Sequence, residues 1–289
     1  MKKVIKTILV LVLALAVGLS VVACGKIDDT APEMKVKCKK IDGVYTVYDF
    51  VAGEEDTLDL DKALDADITN IRIKKGAFSG DSKIKKLIIP ARVTSFDAGA
   101  LEEMGALESL EIPFVGENAN SDAFYAESKS AEDKAVDAAR TIAYLFGTEE
   151  YDAGMAVTVK YDGTNSTTVY MPRTFREVIV NASEYYSIHM YAFSGAVNLT
   201  SVVLKGKIDA IGQNAFDGCK ELKEIELPET VKVVYENAFL NCAKLDKLTV
   251  KGATITVKKG AFVGTKLANT ALDGKVEKID ELRADIFGE

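Results

Sequence analysis

Apolar positions in this chain recur on two periods at once. Inside short segments they alternate every second residue, and the segments themselves return every 23 residues. The phrase Asn214-Ala215-Phe216-Asp217-Gly218-Cys219 comes back as Asn237-Ala238-Phe239-Leu240-Asn241-Cys242. Shorter forms are Tyr191-Ala192-Phe193-Ser194-Gly195 and Gly260-Ala261-Phe262-Val263-Gly264, so the phenylalanines stand at 193, 216, 239 and 262. Gly76-Ala77-Phe78 and Gly99-Ala100-Leu101 repeat the step nearer the N-terminus. A second phrase moves in phase: Leu222-x-x-Ile225-x-Leu227-Pro228 matches Ile84-x-x-Leu87-x-Ile89-Pro90 and Leu107-x-x-Leu110-x-Ile112-Pro113. Leu199-x-x-Val202-x-Leu204 and Leu245-x-x-Leu248-x-Val250 follow it without the proline. A third apolar site lies five residues before each Phe position, at Ile73, Phe96, Ile188, Ile211, Val234 and Val257.

Period-two alternation in x-I-x-L predicts a strand, and the Ala-Phe phrase a tight or helical turn. One such unit cannot bury its own Leu, Ile and Phe. Stacked units, about 4.8 Å apart, can form continuous ladders of like side chains. A period of about 20–29 residues on L-x-x-L-x-L is that of a leucine-rich repeat. The expected fold is therefore a leucine-rich-repeat solenoid, mainly β with short turns or helical turns.

Residues 114–174 break the repeat. Ser130 and Asp133 predict a capped helix to about Phe146, with Ala135, Val136, Ala139, Ile142, Ala143 and Phe146 on its apolar face, docked on the solenoid flank. Val157, Val159 and Tyr161, a turn at Asp162-Gly163, then Thr167, Val169 and Met171 predict a β-hairpin ended by Pro172. The register resumes at Phe175-x-x-Val178-x-Val180. As the least repeat-constrained surface, this insertion is the first candidate for partner specificity. Residues 44–60 should form capping strands, and Val276 to Phe287 a degraded final repeat.

The start of the chain predicts an export signal with its own helix. Lys2, Lys3 and Lys6 precede an apolar run from Ile8 to Leu19, shorter than the roughly 20 residues that span a bilayer. Val21-Val22-Ala23-Cys24 resembles the lipobox of bacterial lipoproteins, which implies cleavage before Cys24 and a diacylglyceryl group on its sulfur. An ordinary signal peptide with a chance cysteine is the alternative. The expected organisation is a signal peptide over 1–23, a lipidated tether over 24–43, and the repeat domain over 44–289. Cleavage removes three of the 36 basic residues and none of the 44 acidic ones, leaving a net charge of −11. Such a balance argues against nucleic acid, whose phosphates need clustered Lys and Arg.

The Ala-Phe-x-Gly-Cys and L-x-x-I-x-L-P phrases resemble the BspA-like, bacterial surface-antigen type of leucine-rich repeat over about 68–113 and 175–265. The resemblance implies an extracytoplasmic, membrane-anchored protein at the cell surface, with adhesion to a protein or other surface partner as its role. A structural envelope scaffold without a specific ligand is the alternative. An enzyme with a carboxylate pair hidden among 44 acids is a third reading.

Chemistry-bearing residues are few, and no catalytic set, metal or cofactor is expected. His189 is the one histidine, and no G-x-S-x-G phrase accompanies it. The acids Asp56, Asp59, Asp61, Asp65 and Asp67 lack the glycine and final Glu of a calcium loop and read as a solvated edge. Cys219 and Cys242 share a repeat position. Their spacing allows a disulfide, though stacked free thiols are preferred. The outward strand positions are Lys86 and Ile88, Ser109 and Glu111, Ser201 and Val203, Glu224 and Glu226, Lys247 and Thr249. Of these, Lys86, Glu111, Glu224, Glu226 and Lys247 are candidate partner contacts, joined by Tyr185 and Tyr186 near the insertion's exit. Truncating one rung of the ladder, by Phe216→Ala or Phe239→Ala, should cost about 3–5 kcal/mol. Urea melts would show it, and an unchanged midpoint would refute the ladder.

Overall fold

The structure is a computed structural model that describes residues 35–119, 138–267, 269–273, 276–279 and 283–287. The signal segment, Cys24 and the helix start at Ser130 lie outside the described residues. The chain winds into a solenoid with two rows of strands. The first row is β3 (Thr57–Asp59), β5 (Lys86–Ile88), β7 (Ser109–Ile112) and the first half of β10 (Glu177–Ile188) and of β11 (Ser201–Ile211). β12 (Glu224–Leu227) and β14 (Lys247–Val250) continue it as a separate parallel pair. The second row holds β4 (Ile71–Ile73) and β6 (Val93–Phe96). After the insertion it resumes with the last turns of β10 and β11, then β13 (Val233–Val234), β15 (Ile255–Val257) and β16 (Val276–Ile279).

Between the second strand of one coil and the first of the next lies the Ala-Phe turn, and there the repeat locks. Tyr191, Asn214, Asn237, Gly260, Gly76 and Gly99 all have φ between 51° and 73°. Four residues on, Gly80, Glu103, Gly195, Gly218, Asn241 and Gly264 have φ between 57° and 77°. Left-handed backbone favours Gly and Asn, which explains the spelling of the phrase. The kinked turn aims alternate amides at the next coil. Tyr191 N, Phe193 N and Gly195 N donate to Gln213 O, Ala215 O and Asp217 O at 3.1, 2.7 and 2.8 Å. The same three bonds recur from Asn214, Phe216 and Gly218, and again from Asn237, Phe239 and Asn241.

With the backbone in register, the rings stack. Phe193–Phe216, Phe216–Phe239 and Phe239–Phe262 centroids lie 5.0, 4.9 and 5.3 Å apart, with interplanar angles of 8°, 3° and 7°. All four rings are completely buried. Phe287 extends the stack at 5.8 Å, and Phe262 N donates to Ile286 O at 3.0 Å, so Ile286-Phe287 occupies the Ala-Phe place of the degraded last repeat. Cys219 and Cys242 are buried free thiols, as preferred from the sequence. Each Sγ donates to a backbone carbonyl, Phe193 O and Phe216 O, at 3.1 Å. Burial pushes both thiols up, Cys242 to about 12, so they stay protonated donors.

Two expectations need correction. Lys35–Ile41, assigned to the tether, is strand β1, paired antiparallel with β2 (Val44–Val51); the pair caps the N-terminal end beside β4. The reason is visible in burial: Val36 and Cys38 alternate inward between lysines. The helix expected to reach Phe146 does not. After Ala138 the chain turns, Thr141 is extended, and a separate 3-10 turn spans Ile142–Leu145. This turn is not on the flank. It fills the place in the stack between the Leu101 and Phe193 coils. Gly99 N and Leu101 N donate to Tyr144 O and Leu145 O at 2.8 and 2.7 Å, and Ile142 N donates to Ala192 O at 2.7 Å. Carbonyls and amides committed to neighbouring coils are lost to a helical ladder, so cross-coil bonding overrides local propensity.

The hairpin forms as expected, with β8 (Gly154–Lys160) paired antiparallel to β9 (Ser166–Pro172). Its turn is organised by the buried Asp162, whose Oδ1 accepts from the Thr164 amide at 2.6 Å and whose Oδ2 accepts from Asn165 Nδ2 at 2.7 Å. Despite the insertion, β10 joins β7 directly, Glu177 opposite Ser109.

Glycines in this frame separate two costs. An added Cβ at Gly218 meets nothing closer than 3.9 Å, so Gly218→Ala should lose only the left-handed penalty, about 1–2 kcal/mol. At Gly206, φ +75°, the Cβ would sit 1.9 Å from Ala182 O, so Gly206→Ala should lose about 1–3 kcal/mol more. Parallel denaturation curves check the ranking.

Candidate binding surfaces

The first strand row presents its outward side chains to solvent, as the alternation implies. Glu224 and Glu226 are exposed on β12, Lys247 is exposed on β14, and Lys86 and Glu111 are half-buried. The structure brings several of them into cross-coil pairs. Lys247 Nζ meets Glu224 Oε2 at 2.6 Å, Lys251 meets Glu226 at 2.7 Å, and Lys244 meets Glu221 at 2.6 Å. The hydrogen bond from Lys247, and then its charge, hold the Glu224 carboxyl below its ordinary range. Glu111 accepts from Asn181 Nδ2 at 2.9 Å. Exposed pairs like these are screened by solvent and add little to stability. Their effect is to neutralise the face one coil against the next.

Tyr185 and Tyr186 part company, because successive residues of a strand face opposite ways. Tyr185 is 70% exposed, with Lys207 Nζ 5.8 Å from its ring centre. Tyr186 is buried and is withdrawn as a contact residue. Its hydroxyl accepts from the Val115 amide at 3.0 Å, and burial pushes its pKa up. Between Ala182 and Tyr186 the register with β11 shifts, so a bulge in β10 lies beside Tyr185.

His189 packs edge-on against Tyr186, ring centres 5.4 Å apart, and is fully buried. Burial, with the positive charge of Arg140 adding to it, lowers its pKa to about 4. Within the acidic run, Asp59 and Asp61 are bonded into the protein. Asp59 caps the short helix Leu60–Ala63 by accepting from the Asp61 amide at 3.0 Å. Asp61 pairs with Arg92 at 3.0 Å, and the same guanidinium donates to the carbonyls of Asp61, Leu64, Asp65 and Ile68. Among the described residues no group of three or more His, Cys, Asp or Glu is placed to hold a metal ion.

Two grooves escaped sequence reasoning. One, of about 520 Å³, runs across the turns Gly195, Gly218, Asn241 and Gly264, with Thr158 and Lys160 of β8 as a wall. The hairpin is seated closely there. A Cβ at Gly195 would lie 2.3 Å from Thr158 O, and Lys160 Nζ pairs with the buried Asp217 carboxylate at 3.3 Å. The other groove, of about 400 Å³, lies on the N-terminal sheet between Lys39, Thr46, Asn70, Arg72, Lys74 and Ser95. The left-handed glycines marked the floor of the first. Nothing in the one-dimensional pattern placed β8 against them, since that contact joins residues far apart in the repeat.

The model of the BspA type leucine rich repeat region matches residues 62–142 and 166–283 in six copies. The chain belongs to the BspA-type leucine-rich-repeat family. Similar solved structures include a leucine-rich repeat protein from Bacteroides ovatus ATCC 8483, 16% identical over 83% of this chain, with a TM-score of 0.37. The BspA-type chain spans 58% of that protein's length. The T. pallidum leucine-rich repeat protein is 15% identical over 85% of this chain and 92% of its own, TM-score 0.33. The pneumococcal vaccine antigen PcpA is 17% identical over 85% and 81%, TM-score 0.28. No curated protein matches the chain. Among the described residues no helix is long and apolar enough to cross a membrane.

The buried imidazole sets a pH dependence. The unfolded chain takes up a proton near pH 6.5 that the folded chain refuses until about pH 4. Stability from the neutral ring is therefore complete above pH 6.5 and is lost as pH falls towards 4, by about 3 kcal/mol. Urea midpoints measured across that window should fall in the native protein. In His189→Leu most of the slope should vanish, whatever that variant's stability at neutral pH.

Proposed function

We propose that this protein is an extracytoplasmic lipoprotein, held at the cell surface through Cys24, whose solenoid binds a protein partner in adhesion and has no catalytic role. The structural observation that carries the reading is the hairpin groove. A rigid row of stacked turns forms its floor, the insertion supplies one wall, and exposed polar groups line it, including Lys160 and Lys220. Extended, ordered surfaces of this kind suit protein recognition. Family membership and the lipobox-like Val21-Val22-Ala23-Cys24 support the same setting.

The groove is favoured over the strand face because Glu224, Glu226 and Lys247 already satisfy one another or their neighbours across coils. A partner at those positions would have to displace ion pairs along the whole face, whereas the groove is a concave space with one such pair, Lys160 with Asp217. Two acyl chains on Cys24 would give a firm anchor, at about 0.8 kcal/mol per buried CH₂.

Cells carrying the native gene or Cys24→Ala should differ in two readouts. An alkyne-tagged fatty acid should label the native protein and not the variant, and the variant should be lost from the membrane fraction. Adherence of native cells to immobilised matrix proteins should fall several-fold in a Lys160→Glu, Lys220→Glu variant that remains anchored. Equal adherence of the groove variant would sink the binding reading while leaving the anchor intact.

A further inference from the structure

The chain is acidic overall, yet its first described strand is not. β1 reads KVKCKKI, four lysines and no acid in seven residues. In the sheet it shares with β2, β4 and β6, Lys39 of that strand joins Arg72 and Lys74 along the 400 Å³ groove, with the polar side chains of Thr46, Asn70 and Ser95 between them. Acids are present as well. Asp97 also lines the groove, where it offsets the charge of Arg72 and accepts from the Lys75 amide, and Asp49, on β2, is engaged by Lys37. Asp42 stands at the groove's end, in the tip of the β1–β2 hairpin. Lys39 and Lys40 lie over the rings of Tyr48 and Tyr45, at 5.4 and 5.0 Å. Such contacts position an ammonium group without cancelling its charge. Beside them, Ile41 at the hairpin tip is 41% exposed.

We propose that this basic end of the solenoid lies against an anionic lipid surface, with phosphate headgroups in the groove. Two observations select that occupant. The charge is complementary to an anionic leaflet and opposite to that of the chain as a whole. The groove also sits where the chain enters the fold: Lys35 is only eleven residues beyond Cys24, a span of at most about 38 Å. For its biological setting the inference rests on the Cys24 anchor. Such an anchor holds this end of the solenoid near the headgroups, and the basic face would then set which way the array leans.

The test uses a chain beginning at Gly25. It keeps every described core residue, from Val36 to Ile286, and carries no lipid, so its outcome is independent of the anchor. Co-sedimentation is measured with vesicles of phosphatidylglycerol and phosphatidylcholine in equal parts, and with phosphatidylcholine alone. Binding should require the anionic lipid and weaken steeply with salt. The pair Lys39→Glu and Lys74→Glu should reduce it about tenfold or more, each lysine near such a surface being worth about fivefold. Lys39→Gln with Lys74→Gln serves if the reversal perturbs melting. Lys259→Glu, an exposed position at the far end of the array, should leave binding unchanged. Equal binding to both vesicles, no binding to either, or full binding by the Lys39/Lys74 variants would overturn the proposal. So would complete competition by glycerol phosphate at matched ionic strength, which would assign the groove to a soluble phosphate.

Discussion

Everything in this molecule depends on one constraint: the Ala-Phe turn must repeat its shape so that each coil can bond to the next. The turn enters and leaves through left-handed residues, and between them it points three amides along the solenoid axis. Those bonds fix the coil spacing, and the spacing brings the phenylalanine rings to about 5 Å, nearly parallel. Neither contribution stands alone. The rings cannot stack without backbone register, and a short polar turn would not stay ordered without rings beneath it. Tyr191 shows the strength of the constraint, since a bulky residue is held at φ 56° where other coils use Gly or Asn. Its hydroxyl accepts from Asn214 Nδ2 of the next coil at 2.6 Å, one of the contacts that hold it there.

The same constraint explains why the insertion is not free to fold as its local sequence prefers. Removing one coil from a stack leaves two sets of unpaired turn groups. Residues 142–146 fill that place, bonded to Gly99 and Leu101 on one side and to Ala192 on the other. The amphipathic spacing of Ala139, Ile142, Ala143 and Phe146 is real, and Ile142, Ala143 and Phe146 are buried, but in a 3-10 turn within the stack. Helical periodicity located the apolar positions and named the wrong element, because the deciding bonds are made to residues far away in sequence.

Fold class, repeat length, outward strand positions and the hairpin were legible because each is written in a local period. The cap was half legible: Val36 and Cys38 alternate inward, but lysines between them masked the strand as tether. The candidate surfaces were less legible. Tyr185 and Tyr186 make a pair of candidates in sequence, yet alternation along β10 puts Tyr186 inward with Ala182 and Ile188 and leaves Tyr185 outside. Glu224, Glu226 and Lys247 were placed on the correct face, yet their cross-coil pairing is a property of stacking. Both grooves arise where elements from different parts of the chain meet, which no period encodes. The repeat builds the interior, and both grooves lie where the repeat is interrupted or begins.

A double-mutant cycle tests the central claim most directly. Phe216→Leu and Phe239→Leu, made singly and together, should show a coupling of about 0.5–1.5 kcal/mol in equilibrium unfolding, as for other contacting aromatic pairs. The same substitutions at Phe193 and Phe262, three coils apart, should be additive. Additivity at the adjacent pair would mean that the rings do not act as one ladder, and the account of the fold would be wrong.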